Sequence, residues 1–169
     1  PPPPPEPPPP PTATAVDAGQ ARDAVEQAAH AVFVAALLRC GLAILAFSLV
    51  ASAIYCFNDV VDAEADRAHP TKRQRPVAAG RIAPVLAMVW GVALALGAVA
   101  VAWWGLSPTF MAALGAYAAN NVLYNLLLKR RGIADVISIA IGFVVRLVAG
   151  SVAIGAVPSS WLLVCGLSL

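Results

Sequence analysis

Apolar residues fall into long runs separated by short polar breaks. From Ala31 the chain turns apolar, and Cys40 to Phe57 is about eighteen residues without a charge. That is a spanning length if Val32 to Leu38 extends it, although Arg39 interrupts the extension and must snorkel or face a bundle interior. Val85 to Trp104 is a second run of about twenty residues, closed by the interfacial pair Trp103 and Trp104. Gly105-Leu106-Ser107-Pro108 reads as a tight turn, Thr109 to Leu128 as a third span and Ile133 to Val157 as a fourth. After the turn Pro158-Ser159-Ser160, Trp161 to Leu169 begins a fifth span but stops after about nine residues, too few to cross a bilayer. The pattern predicts an all-α, multi-pass transmembrane helical bundle. The bundle is expected to be truncated, with four full spans and part of a fifth.

Composition agrees. The chain is 60% hydrophobic and only 12% charged, and its mean hydropathy of +0.77 excludes an ordinary soluble domain. The first eleven residues hold ten prolines, which gives polyproline II or disorder and no core. Asp17 to His30 is Ala-rich and polar enough for a short helix. Residues 1–30 are thus expected to be a disordered or weakly helical tail, and residues 31–169 a partial transmembrane domain. Cys40, Cys56 and Cys165 lie in apolar segments without ligand spacing, and are expected to be buried small hydrophobes.

Charge placement orients the bundle. Arg67, Lys72, Arg73, Arg75 and Arg81 follow the first span, and Lys129, Arg130 and Arg131 follow the third. Two crossings separate the clusters, so they share a side, and the positive-inside rule makes it the cytoplasm. The bilayer is the expected surroundings, and no nucleic-acid partner is expected.

The candidate chemistry lies in the first basic loop. Between Asp59 and Arg75 stand four acids and four bases. Asp59, Asp62 and Asp66 are spaced i, i+3 and i+7, so on a helix they share a face. Three like charges on one face suit a divalent cation such as Mg²⁺, which is held by a few carboxylates and phosphate oxygens. Asn58 adds a neutral oxygen, and Glu64 faces elsewhere. With Lys72, Arg73 and Arg75 nearby, the set suits a diphosphate at a membrane surface. The bland alternative is a hydrated connection with surface ion pairs.

Other polar residues lie in the spans. Asn121, Tyr124 and Asn125 share a face near the end of the third span, with Asn120 beside them. They either line a cavity or serve as interhelical hydrogen-bond glue. Asp135 and Arg146 are about 16 Å apart along one helix, so they cannot pair directly, and cavity roles fit them better. His69, followed by a proline, suits loop ordering better than proton transfer.

Asn58-Asp59-x-x-Asp62-x-x-x-Asp66 resembles the first aspartate-rich motif of the UbiA superfamily of intramembrane prenyltransferases. The continuation Glu64-Ala65-Asp66-Arg67-x-His69-Pro70-Thr71-Lys72-Arg73-x-Arg75-Pro76 is similar to the branch that makes decaprenyl-phosphate phosphoribose for cell-wall arabinan. The likeness continues through Tyr124, Lys129, Asp135 and Arg146. The resemblance implies a UbiA-like bundle around a central cavity. It implies Mg²⁺ held by Asp59 and Asp62, with Asn58 and Asp66 supporting, and phosphate contacts from Lys72 and Arg75. The implied substrates are phosphoribosyl pyrophosphate and a polyprenyl phosphate. A second charged motif of the family lies beyond Leu169, so this chain alone is not expected to be active.

Other readings remain open. One is a prenyltransferase of the same superfamily using a polyprenyl diphosphate and an aromatic acceptor. Another is a cation channel or transporter, for which acids beside a dense basic cluster are poorly suited. A CDP-alcohol phosphotransferase would need an Asp-Gly motif that is missing.

Overall fold

The computed structural model describes residues 15–128 and 132–168, and among these every regular element is helical. The proline-rich segment lies outside the described residues. Helix α1 spans Ala15–Val61 and α2 spans Ala63–Ala68. A 3₁₀ turn covers Lys72–Gln74. Helix α3 runs over Pro84–Gly105 and α4 over Pro108–Leu123, continuing into a π-helical turn at Tyr124–Leu128. Helices α5 and α6 are Gly132–Ala153 and Ser160–Ser168. The chain divides into two compact units, the first ending at Ala36 and the second starting at Leu37.

The first span differs from its expectation. Instead of a short polar helix followed by a separate apolar one, α1 is a single helix of 47 residues. No proline lies between Pro11 and Pro70, and the Ala-rich polar segment has the propensity to carry the helix onward.

Gly132–Ala153 and Pro84–Gly105 match expected spans. Among the described residues, three stretches are long and apolar enough to cross a membrane: Gly19–Val61, Pro84–Gly105 and Val136–Ala153. Helix α4 is shorter, at 16 residues. Ser107 caps its start by accepting a hydrogen bond from Phe110 N at 3.2 Å, with Pro108 in the first turn. At its other end the Asn121 and Asn125 side-chain amides donate to the carbonyls of Tyr117 and Asn121, at 2.9 and 2.8 Å. These carbonyls lie one turn back and are shared with groups outside the backbone ladder. The helix widens into the π turn there, where a regular helical end was expected.

The core of the second unit is made mostly of small residues. Ala43 and Ala46 of α1, Ala98 and Ala102 of α3, and Ala149 and Ala153 of α5 are buried together. Small side chains let helix backbones approach closely, which is how helices associate where lipid removes the hydrophobic driving force. Phe110 is fully buried, and Phe47 meets the rings of Phe110 and Tyr117 edge-on at 5.6 and 5.3 Å. Large apolar side chains point outward instead, Trp103 and Trp104 among them. That polarity suits a hydrocarbon surrounding.

The cysteines correct one expectation. Cys40 and Cys165 are exposed and Cys56 is half-buried. Cys40 and Cys165 lie on outward faces of apolar helices, where lipid supplies the surroundings that a core would supply in a soluble protein, while Cys56 lies beside Gly91 of α3.

Gly91 lies where the α3 backbone comes close to α1. A Cβ there would lie 3.2 Å from the Cys56 Cβ and 3.4 Å from the Ala53 carbonyl oxygen. Gly91→Leu in the full-length protein is expected to push the helices apart and cost about 1–3 kcal/mol. Thermal unfolding in detergent checks this. Gly115→Ala, at a position with open space around it, is the matched control. An unchanged unfolding midpoint for Gly91→Leu would contradict the packing.

Candidate functional site

The helical end that carries the aspartates is nearly continuous. Asp62 separates α1 from α2, with φ −87° and ψ −6°. Asp62 N still donates to Asn58 O and Asp66 N to Asp62 O, both at 2.8 Å. The helical spacing of Asp59, Asp62 and Asp66 therefore survives the joint.

Arg75 returns to this face from nine residues further on. Its Nη1 donates to Asp66 Oδ2 at 2.8 Å and lies 3.7 Å from Asp59 Oδ1. The Asp66 side chain is only 6% exposed, against 30% for Asp59 and 41% for Arg75. The loop geometry brings this about. Val77 and Ala78 are buried, and Val77 packs with Ala63 and Ala87. Ala79 N donates to Arg75 O at 2.8 Å, and Arg81 N and Ile82 N converge on Pro76 O. Gly80 has φ +73° and allows this reversal. Arg67 Nε reaches Ala78 O at 3.3 Å and ties the loop to α2. His69 Nδ1 accepts from Thr71 N and Lys72 N at 3.3 and 3.4 Å. It orders the loop, as its place before a proline suggested.

These contacts divide the expected residues. Asp59, Asp66 and Arg75 are brought together. Asn58 Oδ1 is buried with no hydrogen-bond partner among the described residues. Lys72 and Arg73 are exposed, as is Glu64. Among the described residues, no three His, Cys, Asp or Glu side chains are placed to share a metal ion. Asp66 is the carboxylate most firmly committed elsewhere, to Arg75.

A second polar region lies between α4 and α5. It is a cavity of about 270 Å³ whose lining includes Tyr117, Asn121, Tyr124, Ser138 and Arg146. Asn120 and Ser138 close one wall by two hydrogen bonds, Asn120 Nδ2 to Ser138 O at 3.0 Å and Ser138 Oγ to Asn120 Oδ1 at 3.2 Å. Arg146 Nη2 donates to the Tyr117 hydroxyl, and the guanidinium sits 4.7 Å from the centre of the Tyr117 ring. Tyr124 and Arg146 thus reach one cavity. Asn120 and Asn121 both line it; Asn120 also bonds across to α5 while Asn121 donates within its own helix, so cavity lining and interhelical glue coexist at Asn120. Asn125 donates to its own helix and is not among the lining residues. Lys129 lies outside the described residues. Asp135 belongs to α5, but its side chain lies outside what is described.

Tyr117, Ser138 and Phe143, all of which line the cavity, were missed from the sequence. A signal existed for two of them. Tyr117, Asn121 and Tyr124 are spaced i, i+4 and i+7, and Ser138, Gly142 and Arg146 are spaced i, i+4 and i+8, each set on one helix face.

The chain is 38% identical over 122 residues to the decaprenyl-phosphate phosphoribosyltransferase of Mycolicibacterium smegmatis, covering 72% of this chain and 38% of that protein. It is 38% identical over 131 residues to the Mycobacterium tuberculosis protein of the same name, covering 78% and 43%. With the Corynebacterium glutamicum protein of that name the identity is 41% over 125 residues, covering 72% and 37%. The chain thus spans about two fifths of the length of these relatives. The profile of the UbiA prenyltransferase family matches residues 26–169, and the chain belongs to that family.

Proposed function

We propose that the full-length protein is a Mg²⁺-dependent intramembrane transferase. It moves 5-phosphoribose from phosphoribosyl pyrophosphate to a polyprenyl phosphate such as decaprenyl phosphate, a step toward cell-wall arabinan precursors. The bundle lies in the bacterial inner membrane with the acidic loop on the cytoplasmic side. The observation that carries this reading is the acidic end of α1, where Arg75 lies against Asp59 and Asp66. It is supported by relatives that bear the phosphoribosyltransferase name.

The donor set fits a hard divalent cation. Asn58 presents a buried oxygen without a hydrogen-bond partner among the described residues, and the neighbouring Asp59 and Asp62 supply charged oxygens. These three would hold Mg²⁺. When bound, the ion neutralises the donor diphosphate and stabilises its departure. Asp66 contributes differently from the ligand role expected of it. Its buried carboxylate fixes Arg75, whose remaining N–H groups can meet the diphosphate. Lys72, exposed on the 3₁₀ turn, adds positive charge for the incoming anion. Tyr124 and Arg146 line the cavity between α4 and α5, and with Lys129 and Asp135 they are proposed to bind substrate. In the reaction an oxygen of the lipid phosphate forms a bond to C1 of the ribose. The bond from C1 to the diphosphate oxygen breaks, and pyrophosphate leaves with the electron pair. Positioned positive charge at that oxygen is electrostatic catalysis.

The test is an assay of full-length protein in proteoliposomes with labelled phosphoribosyl pyrophosphate and decaprenyl phosphate. Label is expected in the lipid fraction only when Mg²⁺ is present. Transfer of a prenyl group from its diphosphate to an aromatic acceptor, with no sugar transfer, would contradict the reading.

A further inference from the structure

Arg146 lies too deep to serve the diphosphate at the acidic loop. Phe47 packs on Tyr117, and Tyr117 holds the Arg146 guanidinium. Twelve residues of α1 separate Phe47 from Asp59, a rise of about 18 Å. The steps of 5.3 Å from Phe47 to Tyr117 and 4.7 Å on to the guanidinium are together shorter than that rise, so the guanidinium sits further into the bundle than the Asp59 carboxylate.

Among the described residues Arg146 has no carboxylate partner, since both ion pairs there belong to Arg75. A guanidinium carries five N–H donors, and the Tyr117 hydroxyl accepts from Nη2. An uncompensated cation inside membrane-spanning helices is costly and faces an interior or a functional cavity. Arg146 does have a cavity beside it, with Asn121, Tyr124 and Ser138 also on its wall. From Arg146 to Ser138 the wall climbs eight residues of α5, about 12 Å, toward the end of the bundle that bears the acidic loop.

We propose that Arg146, positioned by Tyr117, forms a second anion subsite that binds a phosphate monoester. The site is separate from the diphosphate and cation site at Asp59 and Asp62. The monoester has two chemical sources: the 5-phosphate of the sugar donor, or the phosphate of the lipid acceptor. Only the choice between these sources rests on the function proposed above.

The test uses the full-length protein, wild type and the variants Arg146→Gln, Arg146→Lys and Tyr117→Phe, each checked by thermal unfolding. Ribose 5-phosphate carries the monoester without the diphosphate, and farnesyl phosphate carries a lipid phosphate without the sugar. Binding of each is measured without Mg²⁺. One probe is expected to bind wild type and to weaken roughly tenfold or more in Arg146→Gln, because a charge-assisted hydrogen bond is lost. Arg146→Lys recovers part of that loss. If ribose 5-phosphate responds, the subsite takes the donor; if farnesyl phosphate responds, it takes the acceptor. If Arg146→Gln does not fold, Tyr117→Phe should still weaken the same probe by roughly threefold. Binding of neither probe to wild type, or equal binding to every folded variant, overturns the proposal. Failure of the proposed function is a separate result: no sugar transfer, with Arg146-dependent binding of a probe intact.

Discussion

Asp59→Ala in the full-length protein is expected to lower phosphoribosyl transfer by roughly 10³-fold or more, the scale on which removing preorganised charge stabilisation acts. Asp62→Ala should do the same. The loss should come with little change in stability. The Asp59 side chain is 30% exposed and lies 3.7 Å from an Arg75 that is 41% exposed, so the pair contributes about 0–1 kcal/mol. Transfer assays and thermal unfolding on the same preparations separate the two effects. Full activity in either variant would remove that residue from the cation site. Low activity accompanied by a large drop in unfolding temperature would show damage to the fold and not to the site.

Asp66→Ala should behave differently. Asp66 is nearly buried and makes the short contact to Arg75. Its removal leaves the guanidinium without its strongest partner, at a cost of about 1–3 kcal/mol after allowing for the exposure of Arg75. Activity should fall as well, because Arg75 is no longer held against the acidic face. The two residues act as one unit, so Arg75→Ala should add little once Asp66 is gone. A double-mutant cycle on unfolding free energy should give a coupling of about 1–3 kcal/mol. If Asp66 were an independent metal ligand, Asp66→Ala would weaken divalent-ion affinity strongly while Arg75→Ala left it intact. Similar, modest effects of both changes on ion affinity are expected instead.

The sequence revealed much of this through spacing. A run of apolar residues bounded by Trp, Pro or charge is a local signal, and α3 and α5 follow it closely. The aspartate face is equally local, because three residues within two turns need only a helix to align them. Arg75 is the contrasting case. Its place against Asp59 and Asp66 depends on a loop that buries Val77 and reverses at Gly80, and no periodicity encodes such a loop. The contact between Asp66 and Arg75 is likewise absent from the spacing of the aspartates. Tyr117 was passed over for a different reason. An aromatic residue in an apolar span looks like core, and Tyr117 is indeed in the core, yet its hydroxyl accepts from Arg146. The π turn after α4 coincides with two asparagine side chains that donate to backbone carbonyls one turn back. The cysteines were misplaced because apolar sequence does not distinguish a protein core from a lipid face.

The most direct measurement is magnetic resonance of Mn²⁺, replacing Mg²⁺, bound to the full-length protein with phosphoribosyl pyrophosphate. Wild type is expected to show one tightly held ion with hyperfine coupling to phosphorus. Asp59→Ala and Asp62→Ala should lose both the tight site and the coupling, while Arg146→Gln keeps them. An ion bound equally well in the aspartate variants, or bound with no coupling to phosphorus in wild type, would contradict a cation and diphosphate site at the end of α1.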